Sequence, residues 1–113
     1  MTNTLKINKQ DNGVVTIQFN RPDVLNALNL ETMIAFLNAI RELQTDNSLR
    51  VLILSGEGEK AFCSGGDLAE LRERISEDDA RYFTRIMRDA LHWMESLPVP
   101  VIAGINGYAL GGG

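Results

Sequence analysis

Two glycine clusters carry the chemistry that this sequence offers most directly. Ser64-Gly65-Gly66-Asp67 leads into a segment with helical spacing, and Gly111-Gly112-Gly113 follows an apolar run. A residue without Cβ lets a ligand approach the backbone closely and lets successive amides point the same way. Amides in the first turn of a helix are unpaired and sit at the positive end of its dipole. Two such N–H groups facing one point form an oxyanion hole, which stabilises a thioester enolate or a tetrahedral adduct. Either cluster also serves as a plain structural turn, and spacing alone does not separate the two readings.

Other candidates are weaker. Gly56, Gly58 and Ala61 formally match the dinucleotide fingerprint after the apolar run VLILS. Glu57 and Glu59 would repel a pyrophosphate, AFCSGG is not a helix opening, and no acidic residue ends a strand about 20 positions on. The same loop fails as a P-loop, because Lys60 precedes Ala61 and not Ser or Thr. Cys63 has no base near it in sequence and reads as a small buried hydrophobe. His92 reads as a packed or surface helix residue, with no second metal ligand in view. Ser64 lacks the nucleophile elbow, since Phe62 stands at its first glycine position. Glu77-Asp78-Asp79 reads as a solvated helix start.

The elements that must position the glycines follow from periodicity. Residues 5–10 and 14–20 carry strand signals, with Asp11-Asn12-Gly13 as a hairpin turn between them, and Arg21-Pro22-Asp23 interrupts the ladder. Over residues 30–44, Met33, Ile34, Phe36, Leu37, Ile40 and Leu43 recur at helical spacing. Residues 51–55 are continuously apolar, which predicts a strand buried on both faces. Asp67 with Glu70 predicts a capping box that opens a short helix through Ile75. A longer helix is expected from Asp79 to Leu97, with Phe83, Ile86, Met87, Leu91, Met94 and Leu97 on one face. Residues 99–106 return to strand character, with Pro100 marking the start. The order is an α/β arrangement, and both glycine loops follow apolar strands, where such folds usually place ligands.

Composition narrows the partners. The chain has 113 residues, enough for one domain, with hydrophobic residues at 44% and charged residues at 23%, as in soluble globular chains. Lys and Arg number 11 against 15 Asp and Glu, a net charge of −4, so no nucleic-acid partner is expected. A single cysteine excludes an internal disulfide framework and a multi-cysteine metal site. No signal core and no span of ~20 apolar residues is visible, so no membrane partner is expected and the location is read as cytoplasmic.

With these residues in view, the sequence resembles the crotonase, or enoyl-CoA hydratase/isomerase, superfamily. VTIQFNRPDVLNALN resembles the first-strand signature, with Asn20-Arg21-Pro22 and Asn26-Ala27-Leu28; AFCSGGDL resembles the first oxyanion block and PVPVIAGINGYALGGG the second. The resemblance implies a crotonase-like spiral of ββα units, with residues 1–113 as the N-terminal part of a single domain, cut after the triple-glycine turn. It implies Gly66 and Gly112 as the two oxyanion N–H donors, and the Ser64 carbonyl as the acceptor for the adenine amino group of coenzyme A. Val24 and Leu25 fall in the segment lining the CoA entrance, and Gly65, Asp67 and Leu68 belong to the same binding block. Asp23 stands where relatives often carry a basic residue, which argues against a phosphate contact there. No metal and no bound cofactor are implied; coenzyme A enters as part of the substrate. In the hydratases of the family a catalytic glutamate follows the triple glycine by two residues, and a second lies further on. Residues 1–113 contain neither, so this chain is expected to be inactive by itself. The complete protein is expected to be a lyase that hydrates 2-enoyl-CoA thioesters, with double-bond isomerisation, other enolate chemistry, or a binding-only fragment as alternatives. A homotrimer or hexamer is implied for it.

Overall fold

A computed structural model describes residues 3–73 and 76–113. Among the described residues, six strands and three α-helices follow one another as β1 (Leu5–Lys9), β2 (Val14–Phe19), α1 (Leu30–Leu43), β3 (Val51–Gly56), β4 (Ala61–Cys63), α2 (Leu68–Glu73), α3 (Glu77–Glu95), β5 (Val101–Ala103) and β6 (Tyr108–Ala109). The order is therefore two strands then helix, twice, and then two strands again. Both strands of the first pair and the first strand of each later pair build one sheet, β1-β2-β3-β5, and the second strands of the later pairs build another, β4-β6.

The β1–β2 hairpin closes through Asp11-Asn12-Gly13 as expected, with Leu5 opposite Phe19 and Lys9 opposite Val15. The Asn12 side chain accepts a hydrogen bond from the Val14 N–H at 3.1 Å. β2 pairs in parallel with β3, and β3 with β5, so α1 serves as one crossover and α2 with α3 as the next.

Helix α1 starts where Asn29 caps it, its Oδ1 accepting from the Thr32 N–H at 2.9 Å. Its apolar stripe delivers Met33, Phe36, Leu37, Ile40 and Leu43 to the core, whereas Ile34 is only half-buried. There they meet Val15, Ile17, Phe19, Leu52 and Leu54 from the sheet. The Phe19 ring lies 5.7 Å from Phe36 and stands edge-on to Phe62 at 5.8 Å, joining α1 to both sheets.

Several expectations need correction. β3 is not buried on both faces: Leu52 and Leu54 are buried, but Val51, Ile53 and Ser55 are half-buried, because the helices pack on one face only. The long helix runs Glu77–Glu95, capped by Ser76 Oγ, and not Asp79–Leu97. Its first turn is acidic and exposed, as expected for Glu77-Asp78-Asp79. Its expected apolar face is only half covered, since Phe83, Ile86, Met87 and Met94 are partly buried and Leu91 is 43% exposed. The last expected strand shrinks to Val101–Ala103, and the separate strand β6 follows it. The short helix spans Leu68–Glu73; its expected end at Ile75 lies outside the described residues.

Candidate active site

The two glycine clusters meet. Leu110 N–H donates to the Cys63 carbonyl at 3.1 Å, extending the β4–β6 pairing into the loops beyond both strands. Gly65 has φ +102, and a methyl group there would stand 2.9 Å from the Leu110 carbonyl oxygen and 3.5 Å from the Gly112 nitrogen. Only glycine meets both demands, the left-handed backbone and the close approach of a second chain. A Cβ on Gly113 would collide with the Cys63 carbonyl, so the last of the three glycines is as closely fitted as Gly65.

The orientation of Gly66 follows from its pairing. Leu28 and Gly66 form an isolated parallel bridge: the Leu28 N–H donates to Gly65 O at 2.7 Å, and the Asp67 N–H donates to Leu28 O at 2.9 Å. Peptide groups alternate in direction along an extended segment, so the Gly66 N–H points away from Leu28. Among the described residues neither the Gly66 nor the Gly112 N–H has an acceptor. Gly112 also borders an apolar cavity of about 200 Å³, lined by Phe19, Leu28, Phe62, Met87 and Leu91. A shallower polar groove of about 640 Å³ along Arg21, Asn29, Asp67 and Glu70 borders the first cluster at Asp67 but none of the glycines, whereas Gly112 and Gly113 line the apolar cavity.

The capping-box expectation is half met. Asp67 Oδ1 accepts from the N–H groups of Ala69 and Glu70 at 3.1 and 3.2 Å, which starts α2. The Glu70 carboxylate does not return to the Asp67 N–H, which is taken by Leu28; instead it accepts from the Leu30 N–H at 3.1 Å, at the start of α1. Burial acts to raise the Asp67 pKa. Hydrogen bonds from the Glu70 N–H, the Arg21 guanidinium and the Ala69 N–H, with the Arg21 charge, outweigh it and hold the carboxyl below its ordinary value. Arg21 Nη1 lies 3.0 Å from Asp67 Oδ2.

The remaining site residues are placed as follows. Val24 and Leu25 are exposed at the end of a short 3-10 turn, Pro22–Val24. The Ser64 N–H donates to Leu25 O at 3.1 Å, joining the two segments. Leu68 is 69% exposed on α2. Asp23, Leu25, Glu57, Glu59 and Lys60 border one groove, where the Glu57 carboxylate is paired with the Lys6 ammonium at 3.1 Å. Cys63 is 1% exposed, and burial pushes its thiol up, only partly opposed by a hydrogen bond from the Gly65 backbone, as an inert core cysteine requires. His92 is exposed on α3. The segment after Gly56 and Gly58 enters strand β4 and no helix, which removes the dinucleotide reading.

Asn26 and Asn106 take structural roles that their sequence motifs do not reveal. Asn26 is 1% exposed at φ 56, and its Nδ2 donates to the carbonyls of Glu57 and Ala61 at 3.0 and 2.9 Å. Asn106 Nδ2 donates to Gly56 O and Gly58 O at 2.9 and 2.8 Å. Together they clamp the loop that delivers β4. The available signal was an asparagine inside the apolar run Val-Leu-Asn-Ala-Leu, since asparagine tolerates positive φ better than most residues.

This architecture, strand pairs and helices bringing two glycine loops together, is the crotonase fold. Over 97% of the chain it superposes on an enoyl-CoA hydratase from Bacillus anthracis with a TM-score of 0.91 and 38% identity, covering 42% of that chain. The enoyl-CoA hydratase/isomerase family profile matches residues 9–113. Over 105 residues, 93% of the chain, it is 37% identical to a short-chain-enoyl-CoA hydratase of Clostridium acetobutylicum and 34% identical to a crotonyl-CoA hydratase of Syntrophomonas wolfei. The chain belongs to the enoyl-CoA hydratase/isomerase family and corresponds to its N-terminal portion. It spans 40% of the length of each of those two relatives. Among the described residues no helix is long and apolar enough to cross a membrane, and no three His, Cys, Asp or Glu side chains are grouped to hold a metal ion.

Proposed function

We propose that the protein carrying this chain hydrates 2-enoyl-CoA thioesters. The oxygen of water adds to C3, and the electron pair of the double bond moves onto the thioester oxygen as an enolate. C2 then takes a proton on the same face. The Gly66 and Gly112 N–H groups receive the enolate oxygen, and the proton transfers fall to the glutamates that the family resemblance implies beyond residue 113. The carrying observation is that two glycine loops pack against each other while both amides lack an acceptor among the described residues. Preorganised donors stabilise developing charge because they need no rearrangement during reaction.

In this reading the CoA moiety lies along Val24, Leu25, Ser64, Gly65, Asp67 and Leu68, with the Ser64 carbonyl receiving the adenine amino group. The Asp67 carboxylate is already engaged by Arg21 and the α2 cap, and its N–H by Leu28 O, so Asp67 shapes this surface and offers the ligand no free side-chain acceptor of its own. Exposed Leu25 and Leu68 offer apolar surface to the ligand. The complete protein is read as a cytoplasmic homotrimer or hexamer. Isomerisation of the double bond is the second reading, supported by the family's joint description, and would need only one of the glutamates.

Two relatives named for short enoyl thioesters make crotonyl-CoA the test substrate. In the native-length enzyme, Gly66→Pro removes the N–H and is expected to lower kcat by ~100-fold or more while the circular dichroism spectrum is retained. Near-normal hydration by the folded variant overturns the oxyanion assignment.

A further inference from the structure

We propose that Arg21 is a positioning residue for the Gly66 amide, acting through Asp67; the inference rests on the oxyanion reading above. Arg21 Nη1 carries two hydrogens and spends them on two acceptors, Ala27 O at 2.7 Å and Asp67 Oδ2 at 3.0 Å. The side chains are 20% and 16% exposed, so the pair is largely withdrawn from solvent, where such contacts are weakly screened. Removing one partner of a buried pair is costly because the other charge is left uncompensated.

Arg21 is itself held on a rigid frame. Its N–H donates to Asn26 Oδ1 at 2.8 Å, and its carbonyl accepts from the Asn26 N–H at 2.8 Å. Asn26 in turn grips the loop before β4 through Glu57 O and Ala61 O. Leu25 and Asn26 both adopt φ 56, a left-handed pair that persists only where the surroundings dictate it. The strained turn therefore works as an anchor for a guanidinium and not as a mobile loop.

At the other end of the pair, Asp67 directly follows Gly66. Its Oδ1 starts α2 and its N–H is fixed on Leu28 O, while Oδ2 is the atom held by Arg21. Three restraints thus fix Asp67 and the Gly66–Asp67 peptide, one bond-pair beyond the Gly65–Gly66 peptide that carries the Gly66 N–H and whose carbonyl, Gly65 O, accepts from the Leu28 N–H at 2.7 Å. An oxyanion donor displaced by about 1 Å loses much of its effect, so support of this kind bears on rate more than on ligand affinity.

The test is a mutant cycle in the native-length enzyme with crotonyl-CoA. Arg21→Gln is expected to lower kcat by about 10-fold or more with KM within about twofold, and Asp67→Asn to do the same. In a Gly66→Pro background, Arg21→Gln is expected to cost almost nothing further, because residues acting through one group are not additive. An equal fold-loss in both backgrounds, or an unchanged kcat in Arg21→Gln alone, overturns the positioning role. If Arg21→Gln does not fold, Arg21→Lys keeps the charge but ends one bond short of the Nη1 position that meets both acceptors, and must show the kcat loss with KM retained. Full activity in that variant also overturns the proposal. Near-normal turnover in Gly66→Pro alone, or neither hydration nor double-bond isomerisation by the native protein, removes the oxyanion reading and this inference together.

Discussion

Asp67 is the residue on which the local electrostatics converge. Its carboxylate accepts two N–H bonds at the start of α2 and one from Arg21, so protonation must disrupt a cap and an ion pair at once. Because its folded pKa is depressed, the stability it contributes is complete above its ordinary value of 3.8 and is lost as the pH falls through the lower folded value. Asp67→Asn is therefore expected to be less stable than the parent at neutral pH. The two unfolding curves should converge as the pH is lowered from about 5 to about 3, measured by urea denaturation across that range. A gap that stays constant with pH would show that the charge contributes nothing. At this scale the candidate donors Gly66 and Gly112 were legible as glycines next to predicted strands. Arg21 was visible only as a letter in a motif, since its partner lies 46 positions away.

At the scale of elements, α1 and α3 have similar apolar stripes in the sequence but different fates. α1 lies on the sheet and buries Ile40 completely, whereas Leu91 on α3 remains 43% exposed beside the apolar cavity. Arg41 over the Trp93 ring at 5.6 Å is one of the contacts between the two helices. Ile40→Ala is expected to destabilise this chain by about 2–5 kcal/mol, and Leu91→Ala by less than half as much, in denaturant unfolding. Equal losses would mean that α3 is packed as tightly as α1. Helical periodicity located both helices, since it reports which face is apolar. It did not report how much of that face a partner covers. The strands β4 and β6 escaped for a related reason, being three and two residues long and paired only with each other. Such short segments carry no period, and their stability comes from a non-local ladder.

At the scale of the whole molecule, the radius of gyration is 13.9 Å, close to the ~13 Å expected for a compact chain of this length. The apolar surface left open is concentrated between residues 102 and 110, where Ile102, Ile105, Tyr108 and Leu110 are each more than half exposed. β5 is also an edge strand of the larger sheet. Purified residues 1–113 are expected to give no measurable hydration of crotonyl-CoA in a spectrophotometric assay, because the acid–base glutamates implied by the family are not among them. Water addition by this chain would overturn the requirement for those residues.

The sequence by itself determined the α/β order, the hairpin, the helical faces and the family, because these depend on local periodicity, turn chemistry and contiguous motifs. It also marked both glycine clusters, since glycine leaves its signature wherever a backbone must be approached closely. Only the tertiary structure decided that Gly65 packs against the loop of Gly112, that Glu70 serves the start of α1, and that Arg21 holds Asp67. Each of these joins residues at least 40 positions apart. Contacts of that kind depend on how strands pair across crossovers, and neither propensity nor spacing encodes the register that brings them together.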